Sequence, residues 1–284
     1  MDSARAALRP LGCDDRTVAD VGRRARLELT FGRRGDRTVL LHSYAEPPFR
    51  IGPVLPDGGG IHLILASSAP GVFGGDDLHQ TVVVQSGARV RLTSQSATQV
   101  HATDDHAVAA LASTYRVEAG GHLQCEWDPV IPFPDARFEQ RILIDLAEGA
   151  TLLWSDALMA GREARGERWR FSRLAHELRL VSSGTLAYVE RYRIAPASDR
   201  PGHRWIADHG CYFGTLLAVG VPRDRTFAAN AHLEMGRYEQ VRGSADLLDE
   251  RILLARLVSA NGTSFHHARQ AMLRMVRAAV GRES

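Results

Sequence analysis

Apolar and polar residues alternate in short runs along most of the chain, from about Arg26 to about Val221. The runs are rich in Val, Leu, Ile and Thr and are bounded by Gly, Pro, Asp and Ser, as β-strands are. The first five runs are residues 26–31, 38–44, 60–68, 80–87 and 89–95. Because no long helical period interrupts them, this part of the chain is predicted to form β-sheets.

A loose repeat recurs within these strands at intervals of roughly thirty residues. In each unit an apolar residue, two spacers, a glycine and a small residue lead into a second apolar run. The units are Val84–Val90, Val117–Leu123, Leu146–Leu152 and, with one residue of slippage, Val181–Leu186. Repeats of this length are typical of stacked units that bury their apolar faces on one another. The predicted fold class is therefore mainly β, with layered, β-helix or solenoid-like sheets; unrelated hairpins with glycine turns are the alternative.

A helical period replaces the strand pattern near the C-terminus. From Ser244 onward, one helical stripe contains Leu247, Leu248, Ile252, Ala255 and Val258. Asn261 and Gly262 interrupt it, and Ser264 is predicted to be the N-cap of a second helix. In that helix residues 265, 268, 272, 276 and 279 are apolar at three- and four-residue spacing. A C-terminal helical hairpin that packs against the sheets is expected.

Charge and composition exclude several classes of function. The 35 basic and 33 acidic residues are interleaved and leave a net charge of +2, which disfavours nucleic acid as a partner. All the basic residues are Arg, so a lysine-dependent phosphate loop and a Schiff-base mechanism are excluded. The sequence has no apolar leader and no membrane-spanning run. Three distant cysteines, Cys13, Cys125 and Cys211, predict reduced thiols and a cytoplasmic location.

Acidic residues follow the repeat glycines at similar distances. They are Glu126 and Asp128 after Gly120, Asp156 after Gly149, and Glu190 after Gly184. If the units stack, these carboxylates form a row, and oxygen ligands of this kind suit a hard or borderline cation. A solvated acidic face is the alternative.

Sequence motifs for catalysis are weak. The chain has no Gly-x-Ser-x-Gly elbow and no His-Glu-x-x-His pair. His101 with His106, or His266 with His267, could contact a metal, although single histidines at strand ends more often form ordinary hydrogen bonds.

Several segments, in order and spacing, resemble one family, the urease accessory protein D family (UreD, also called UreH). The resemblance covers nearly the whole chain. The segments are Asp36–Leu40, Ala69–Leu78, Ser94–His101, Cys125–Phe133, Leu153–Asp156 with Gly161-Arg162 and Gly166-Glu167, and Tyr188–Arg191. Ala69–Leu78 is the most specific, since it is similar to the family's Pro-Gly-Gly-x-x-Gly-Gly-Asp-x-Leu motif, with Asp76 on its aspartate. Departures include Gln99 at the position of the family's usual Lys.

The resemblance implies a non-enzymatic chaperone for assembly of the urease nickel centre. Such a protein is expected to bind apo-urease and the accessory proteins UreF and UreG, the latter a GTPase, without a membrane or nucleic acid as partner. No tightly bound cofactor is implied, only transient Ni²⁺ in an internal passage. We expect Asp76, Asp156 and Glu190 to line that passage.

The resemblance also implies structural roles for the remaining motif residues. The glycines Gly74 and Gly75 would let the backbone turn tightly, so that Asp76 projects inward. Arg162 and Arg191 are expected to pair with something buried, and Glu167 is the further structural residue of the motif. By the same resemblance, residues 26–284 are expected to form a single domain, with a β part over 26–221 and a mixed and helical part over 222–281. Residues 1–25 are expected to be a flexible N-terminal segment.

Other interpretations of these acids stay open. Asp76 could cap its own loop as an Asx-turn, and Asp156, Glu167 and Glu190 could pair with Arg162, Arg165 or Arg191. For the whole protein, one alternative is a polysaccharide-acting β-solenoid enzyme whose acids are drawn from Glu126, Asp128, Asp156 and Glu190. The other is an interaction module without ion transit.

Overall fold

The computed structural model describes residues 22–102, 107–199, 210–222, 224–248 and 251–280. Its first nine strands are β1 (Arg24–Arg34), β2 (Arg37–Ala45), β3 (Phe49–Asp57), β4 (Gly60–Ser67), β5 (Val72–Phe73), β6 (Asp77–Val84), β7 (Arg89–Ser94), β8 (Thr98–His101) and β9 (Ala109–Val117). The next nine are β10 (His122–Glu126), β11 (Val130–Pro132), β12 (Arg137–Leu146), β13 (Thr151–Met159), β14 (Arg173–Ser182), β15 (Thr185–Ile194), β16 (Tyr212–Val219), β17 (Val241–Leu248) and β18 (Ile252–Ser259). The helices are α1 (Pro196–Asp199), α2 (Arg225–Met235) and α3 (Gly262–Ala279), with a 3₁₀ turn at Glu163–Arg165.

Most strands belong to two sheets that face each other. Sheet A has the order β15-β14-β12-β9-β6-β1-β2, and sheet B has the order β17-β18-β16-β13-β10-β7-β4-β3. The central strands are parallel and the edges are closed by antiparallel hairpins. The short strands β5, β8 and β11 extend sheet B from β13 and form a third face. The predicted fold class, mainly β with stacked solenoid-like coils, is confirmed.

The glycine turns of the sequence repeat join the two sheets. Each of the first three units leads from a strand of sheet A to a strand of sheet B, and its glycine has a positive φ. The angles are 68° at Gly87, 66° at Gly120 and 72° at Gly149, a region in which a residue with a Cβ is strained. The turns stack, since the Gly87 amide donates to the Ala119 carbonyl at 3.3 Å. The fourth unit differs, because Gly184 turns the β14–β15 hairpin within sheet A.

Aliphatic side chains fill the space between the sheets next to these turns. Leu29, Val84, Val117, Leu146 and Leu152 are all at most 1% exposed and belong to one core cluster. A second cluster lies on the other face of sheet B, where α2 and α3 pack. Strands β13, β16 and β18 of sheet B are therefore buried on both faces.

The predicted first helix of the C-terminal hairpin is wrong: residues 244–248 lie in β17 and residues 252–259 form β18. These strands pair with each other, and β18 also pairs with β16. In β18, Ile252 packs into the core between the sheets, whereas Leu253 and Ala255 pack under the helices. With apolar residues on both faces, the run has no alternation, and periodicity cannot separate such a strand from a helix.

The second predicted helix is confirmed as α3. Its N-cap is Asn261 rather than Ser264, because the Asn261 side chain accepts a hydrogen bond from the Ser264 amide at 3.0 Å. Within the described ranges, none of the helices has the length and apolar composition needed to cross a membrane. The expected N-terminal segment, residues 1–25, lies mostly outside the described residues.

Candidate functional site

A cavity of about 800 Å³ lies between the two sheets, beyond the aliphatic core. Its walls are largely aromatic and aliphatic, with Tyr115, Trp127, Trp154 and Phe213 among the lining residues. Polar side chains enter it from both sheets. The strands that bury only aliphatic residues near the glycine turns therefore carry polar residues further along.

In sheet A, the inward-facing residues become polar on four neighbouring strands. Gln80 on β6 is in register with Ser113 on β9, and Gln140 on β12 is in register with His176 on β14. Residues in register on adjacent strands share a face of the sheet, so these four form a polar patch. Gln80, Ser113 and His176 are buried. Gln80 Nε2 donates to the Tyr115 hydroxyl at 2.9 Å.

His176 is held in place within this patch. Its Nδ1 lies 3.1 Å from Gln140 Oε1, and its ring stacks on Tyr192 with centroids 4.8 Å apart. Burial lowers the pKa of His176, and the neighbouring charge of Glu190 acts in the opposite direction. The imidazole is therefore favoured in its neutral form.

Asp156 faces the cavity from sheet B. The Trp154 indole Nε1 donates to its Oδ2 at 3.1 Å. Burial raises the pKa of Asp156, while the indole hydrogen bond and the charge of Arg269 oppose that rise. Across sheet B, Asp156 is in register with Thr215 on β16, and Thr215 is in register with Arg256 on β18. A second polar patch thus faces the one in sheet A.

Glu190 lies on β15 at the edge of sheet A and is 8% exposed. The Tyr188 hydroxyl donates to its Oε2 at 3.1 Å, and Arg256 Nη2 lies 3.3 Å from its Oε1. Burial raises the pKa of Glu190, and the negative charge of Asp156 raises it further. Of the three predicted metal-path residues, the structure thus brings Asp156 and Glu190 into one cavity from opposite sheets.

Asp76, the third predicted path residue, is not among the residues that line this cavity. It is 2% exposed, and its two carboxylate oxygens accept from the Arg23 amide at 3.0 Å and from the Phe73 amide at 2.9 Å. Gly75, with φ of 86°, and the buried Gly74 shape the turn before it. This geometry matches the alternative in which Asp76 caps its own loop.

The predicted row of acids is divided by strand alternation. Glu126 is in register with Ser155, so Asp156 lies one residue further along and points to the opposite face. Glu126 lies under α3, where Arg91 Nε donates at 2.8 Å and Arg277 Nη2 at 2.6 Å. Burial tends to raise the pKa of Glu126, but the Arg91 hydrogen bond and the nearby Arg charges lower it overall.

Asp128, the remaining acid of the predicted row, lines the cavity. Its Oδ2 accepts from the Ser94 hydroxyl at 3.1 Å, and its backbone amide donates to Ser94 Oγ at 2.8 Å. Asp128 is therefore bonded to Ser94 on β7, 34 residues earlier in the chain.

The structural motif residues form ion pairs, but only one of the predicted pairs is present. Arg162 and Glu167 make a bidentate pair, with Nε to Oε2 at 2.5 Å and Nη2 to Oε1 at 2.7 Å. Arg191, an exposed residue, pairs with Glu177 at 2.7 Å. The cationic partner of Glu190 is Arg256, which sequence reasoning missed because that residue lies on a distant strand of the other sheet.

Four of the motif segments meet in a stack of rings on the third face. His101 stacks on Phe73 with centroids 4.6 Å apart and meets the edge of Phe133 at 4.5 Å. The Arg162 guanidinium lies 3.8 Å from the centre of the Phe133 ring. These contacts place His101 in a packing role and connect the loop of Asp76 to the Arg162–Glu167 pair.

The other candidate metal ligands do not form a cluster. His266 and His267 lie on α3 with ring centroids 6.0 Å apart, and His106 and Cys13 lie outside the described residues. Cys125 and Cys211 are free and buried. Across the described ranges, no three His, Cys, Asp or Glu side chains are placed to hold one metal ion together.

Residues 23–284 match the family model described as UreD urease accessory protein. The chain is similar to the urease accessory protein UreD of Haloarcula marismortui, with 31% identity over 217 residues that cover 75% of this chain and 72% of that protein. The UreD of Sorangium cellulosum is 36% identical over 60% of this chain and 54% of its own length. The UreD of Anaeromyxobacter sp. is 34% identical over 58% and 55%. The chain therefore spans little more than half the length of these last two relatives.

Proposed function

This chain belongs to the UreD urease accessory protein family, as its motifs predict, and from that premise we propose that it assists assembly of the urease nickel centre. In this proposal it scaffolds apo-urease with UreF and UreG, and nickel reaches urease through the cavity between the sheets. The ion is cargo, held transiently. The cytoplasmic location suggested by the sequence is part of the same proposal.

One observation carries the proposal of a passage: the buried Glu190 and the half-buried Asp156 come from opposite sheets and face one cavity. Carboxylates in a low-dielectric interior attract a divalent ion strongly enough to offset part of its dehydration. Two of them, with the amide of Gln140 and the imidazole of His176 nearby, offer an incomplete coordination shell. Weak binding of this kind allows release, which any conducting path requires.

A non-enzymatic role is supported by the names of the relatives, all of which are accessory proteins. It is also supported by the position of Glu126, because an acid bound by Arg91 and Arg277 under α3 is a poor partner for Asp156 across a substrate groove. The absence of lysine fits a role in which UreG, rather than this chain, hydrolyses GTP.

A second candidate is an interaction module without ion transit. Two contacts favour it: Glu190 already has Arg256 as a cationic partner, and Asp76 is bonded to backbone amides. In that case the cavity would be only the space left between two curved sheets.

The accessory role is tested by co-expressing urease with UreF and UreG, with and without this chain, and measuring nickel per active site in the purified urease. We expect nickel-poor urease when the chain is omitted, and recovery of the chain in pull-downs of apo-urease. Fully nickel-loaded urease in the absence of the chain would contradict the proposal.

A further inference from the structure

Arg256 links the two sheets at the open side of the sandwich. It lies on β18 of sheet B, whereas Tyr188 and Glu190 lie on β15, the edge strand of sheet A. Its Nη2 donates to the Tyr188 hydroxyl at 2.9 Å and lies 3.3 Å from Glu190 Oε1. This side chain therefore spans the gap between strands that share no backbone hydrogen bond.

The exposures of the two partners place Arg256 on the solvent side of the pair. The Arg256 side chain is 54% exposed and that of Glu190 only 9%, although both line the cavity. The guanidinium thus covers an otherwise buried carboxylate where the cavity meets solvent.

A guanidinium in this position is a displaceable counter-ion. It is permanently charged, so it offers Glu190 a positive charge at every physiological pH. An ion pair whose cation is half exposed is weak, because water screens the charges. A monovalent ion that replaced the guanidinium would only exchange one charge for another, whereas a divalent ion brings an additional charge to Glu190 and Asp156.

We propose that Arg256 is a tethered counter-ion that closes the mouth of the cavity over Glu190, and that a divalent cation enters by displacing it. The inference rests on the proposed function of the cavity as a cation passage. Arg256 then controls how readily a cation enters the cavity and which cation charge is favoured.

Tryptophan emission of the full-length chain, titrated with Ni²⁺ alone, reports on this step. Trp154 donates to Asp156, and Trp127 lies 6.2 Å from Trp154, so Ni²⁺ in the cavity is expected to quench both. We expect Arg256→Gln to lower the Ni²⁺ concentration at half-quenching by about fivefold or more, the usual lower bound for coupled binding.

Arg191→Gln is the matched control. Arg191 is adjacent to Glu190 on the same strand, but it pairs with the half-buried Glu177, is itself 62% exposed and lies on the other face of sheet A. The variant loses the same charge, and we expect its midpoint to change by less than about twofold, because solvent screens it. Arg256→Lys restores the positive charge and is expected to return the midpoint toward that of the wild type.

The possible outcomes distinguish failure of the proposed role of Arg256 from failure of the proposed cation passage. Equal midpoints for Arg256→Gln and Arg191→Gln, in a protein whose quenching is abolished by Glu190→Gln, would overturn the role of Arg256 and leave the passage standing. A midpoint for Arg256→Lys equal to that of Arg256→Gln would overturn the role of its charge. No quenching in any variant, with circular dichroism showing folded protein, would overturn both.

Discussion

The two faces of sheet B carry acids in opposite environments. On the outer face, Glu126 lies under α3 and receives hydrogen bonds from Arg91 and Arg277, and its pKa is lowered. On the inner face, Asp156 accepts a bond from an indole, and burial raises its pKa. The fold stabilises the charge of the first acid and disfavours that of the second. Acids at similar spacing after the repeat glycines therefore differ in role according to which face their strand position gives them.

The outer face is built for stability. His122 lies on it, two residues before Gln124 and four before Glu126, and its Nδ1 is 2.8 Å from the Thr151 hydroxyl. Arg269 of α3 donates to the Ser155 hydroxyl at 2.9 Å and to the Trp127 carbonyl at 2.6 Å. These contacts attach α3 to the sheet. The inner acids differ in the kind of donor they have: Asp156 and Glu190 accept from the neutral groups of Trp154 and Tyr188, and the cation beside Glu190, Arg256, is 54% exposed.

The largest effect is expected from acid titration of the outer face. Burial lowers the pKa of His122 to about 4, below its ordinary value of 6.5, so the unfolded chain binds the extra proton. The stabilisation is complete above pH 6.5 and is lost as the pH falls toward about 4, a change of about 3 kcal/mol at most. Denaturant unfolding across this range should show that the free energy of unfolding depends less steeply on pH in His122→Gln than in the wild type. Exposed His79→Gln is the control, and an equal slope in both variants would refute the expectation.

Asp76 is expected to behave as a structural acid. Asp76→Asn would place an amide NH₂ against one of the two backbone amides that its carboxylate now accepts from. An unsatisfied buried donor costs about 1 to 3 kcal/mol, so the free energy of unfolding should fall by about 2 kcal/mol. Asp77→Asn, at the neighbouring and more exposed acid, is the control. Wild-type stability in Asp76→Asn would show that the loop does not depend on this cap.

A smaller loss is expected at Glu126. Glu126→Gln removes the charge that Arg91 and Arg277 contact and leaves both guanidinium groups partly exposed to solvent. Because that exposure lets water replace part of the interaction, we expect a loss of about 1 kcal/mol. Denaturant unfolding at neutral pH measures it. A gain in stability would place Glu126 with the inner acids and remove the contrast between the faces.

The smallest effect on stability is expected for the inner acids. Asp156→Asn and Glu190→Gln remove charges that burial disfavours, while the amide oxygens can still accept from Trp154 and Tyr188. The free energy of unfolding should stay within about 0.5 kcal/mol of the wild type or rise slightly. A loss as large as that of Asp76→Asn would instead make these carboxylates structural partners of the arginines.

The stacked units of the two sheets could be predicted from sequence, because each turn between the sheets needs a glycine at a positive φ. That requirement recurs at Gly87, Gly120 and Gly149. The β17–β18 hairpin could not, since a strand buried on both faces has no alternation to distinguish it from a helix. The predicted row of acids failed because of strand alternation. Glu126 is in register with Ser155, so Asp156 lies one residue further from its repeat glycine and points to the opposite face of the sheet. The Arg256–Glu190 contact depends on how two sheets face each other, which local patterns do not encode.

Nickel content of urease assembled with the double variant Asp156→Asn/Glu190→Gln tests the central claim most directly. Pull-down of apo-urease, UreF and UreG establishes that the complex forms, and metal analysis of the recovered urease gives nickel per active site, with Glu126→Gln as the matched loss of an outer acid. We predict normal assembly with nickel-poor urease for the inner double variant and nickel-loaded urease for Glu126→Gln. Normal assembly with fully loaded urease in the double variant would contradict a passage through this cavity.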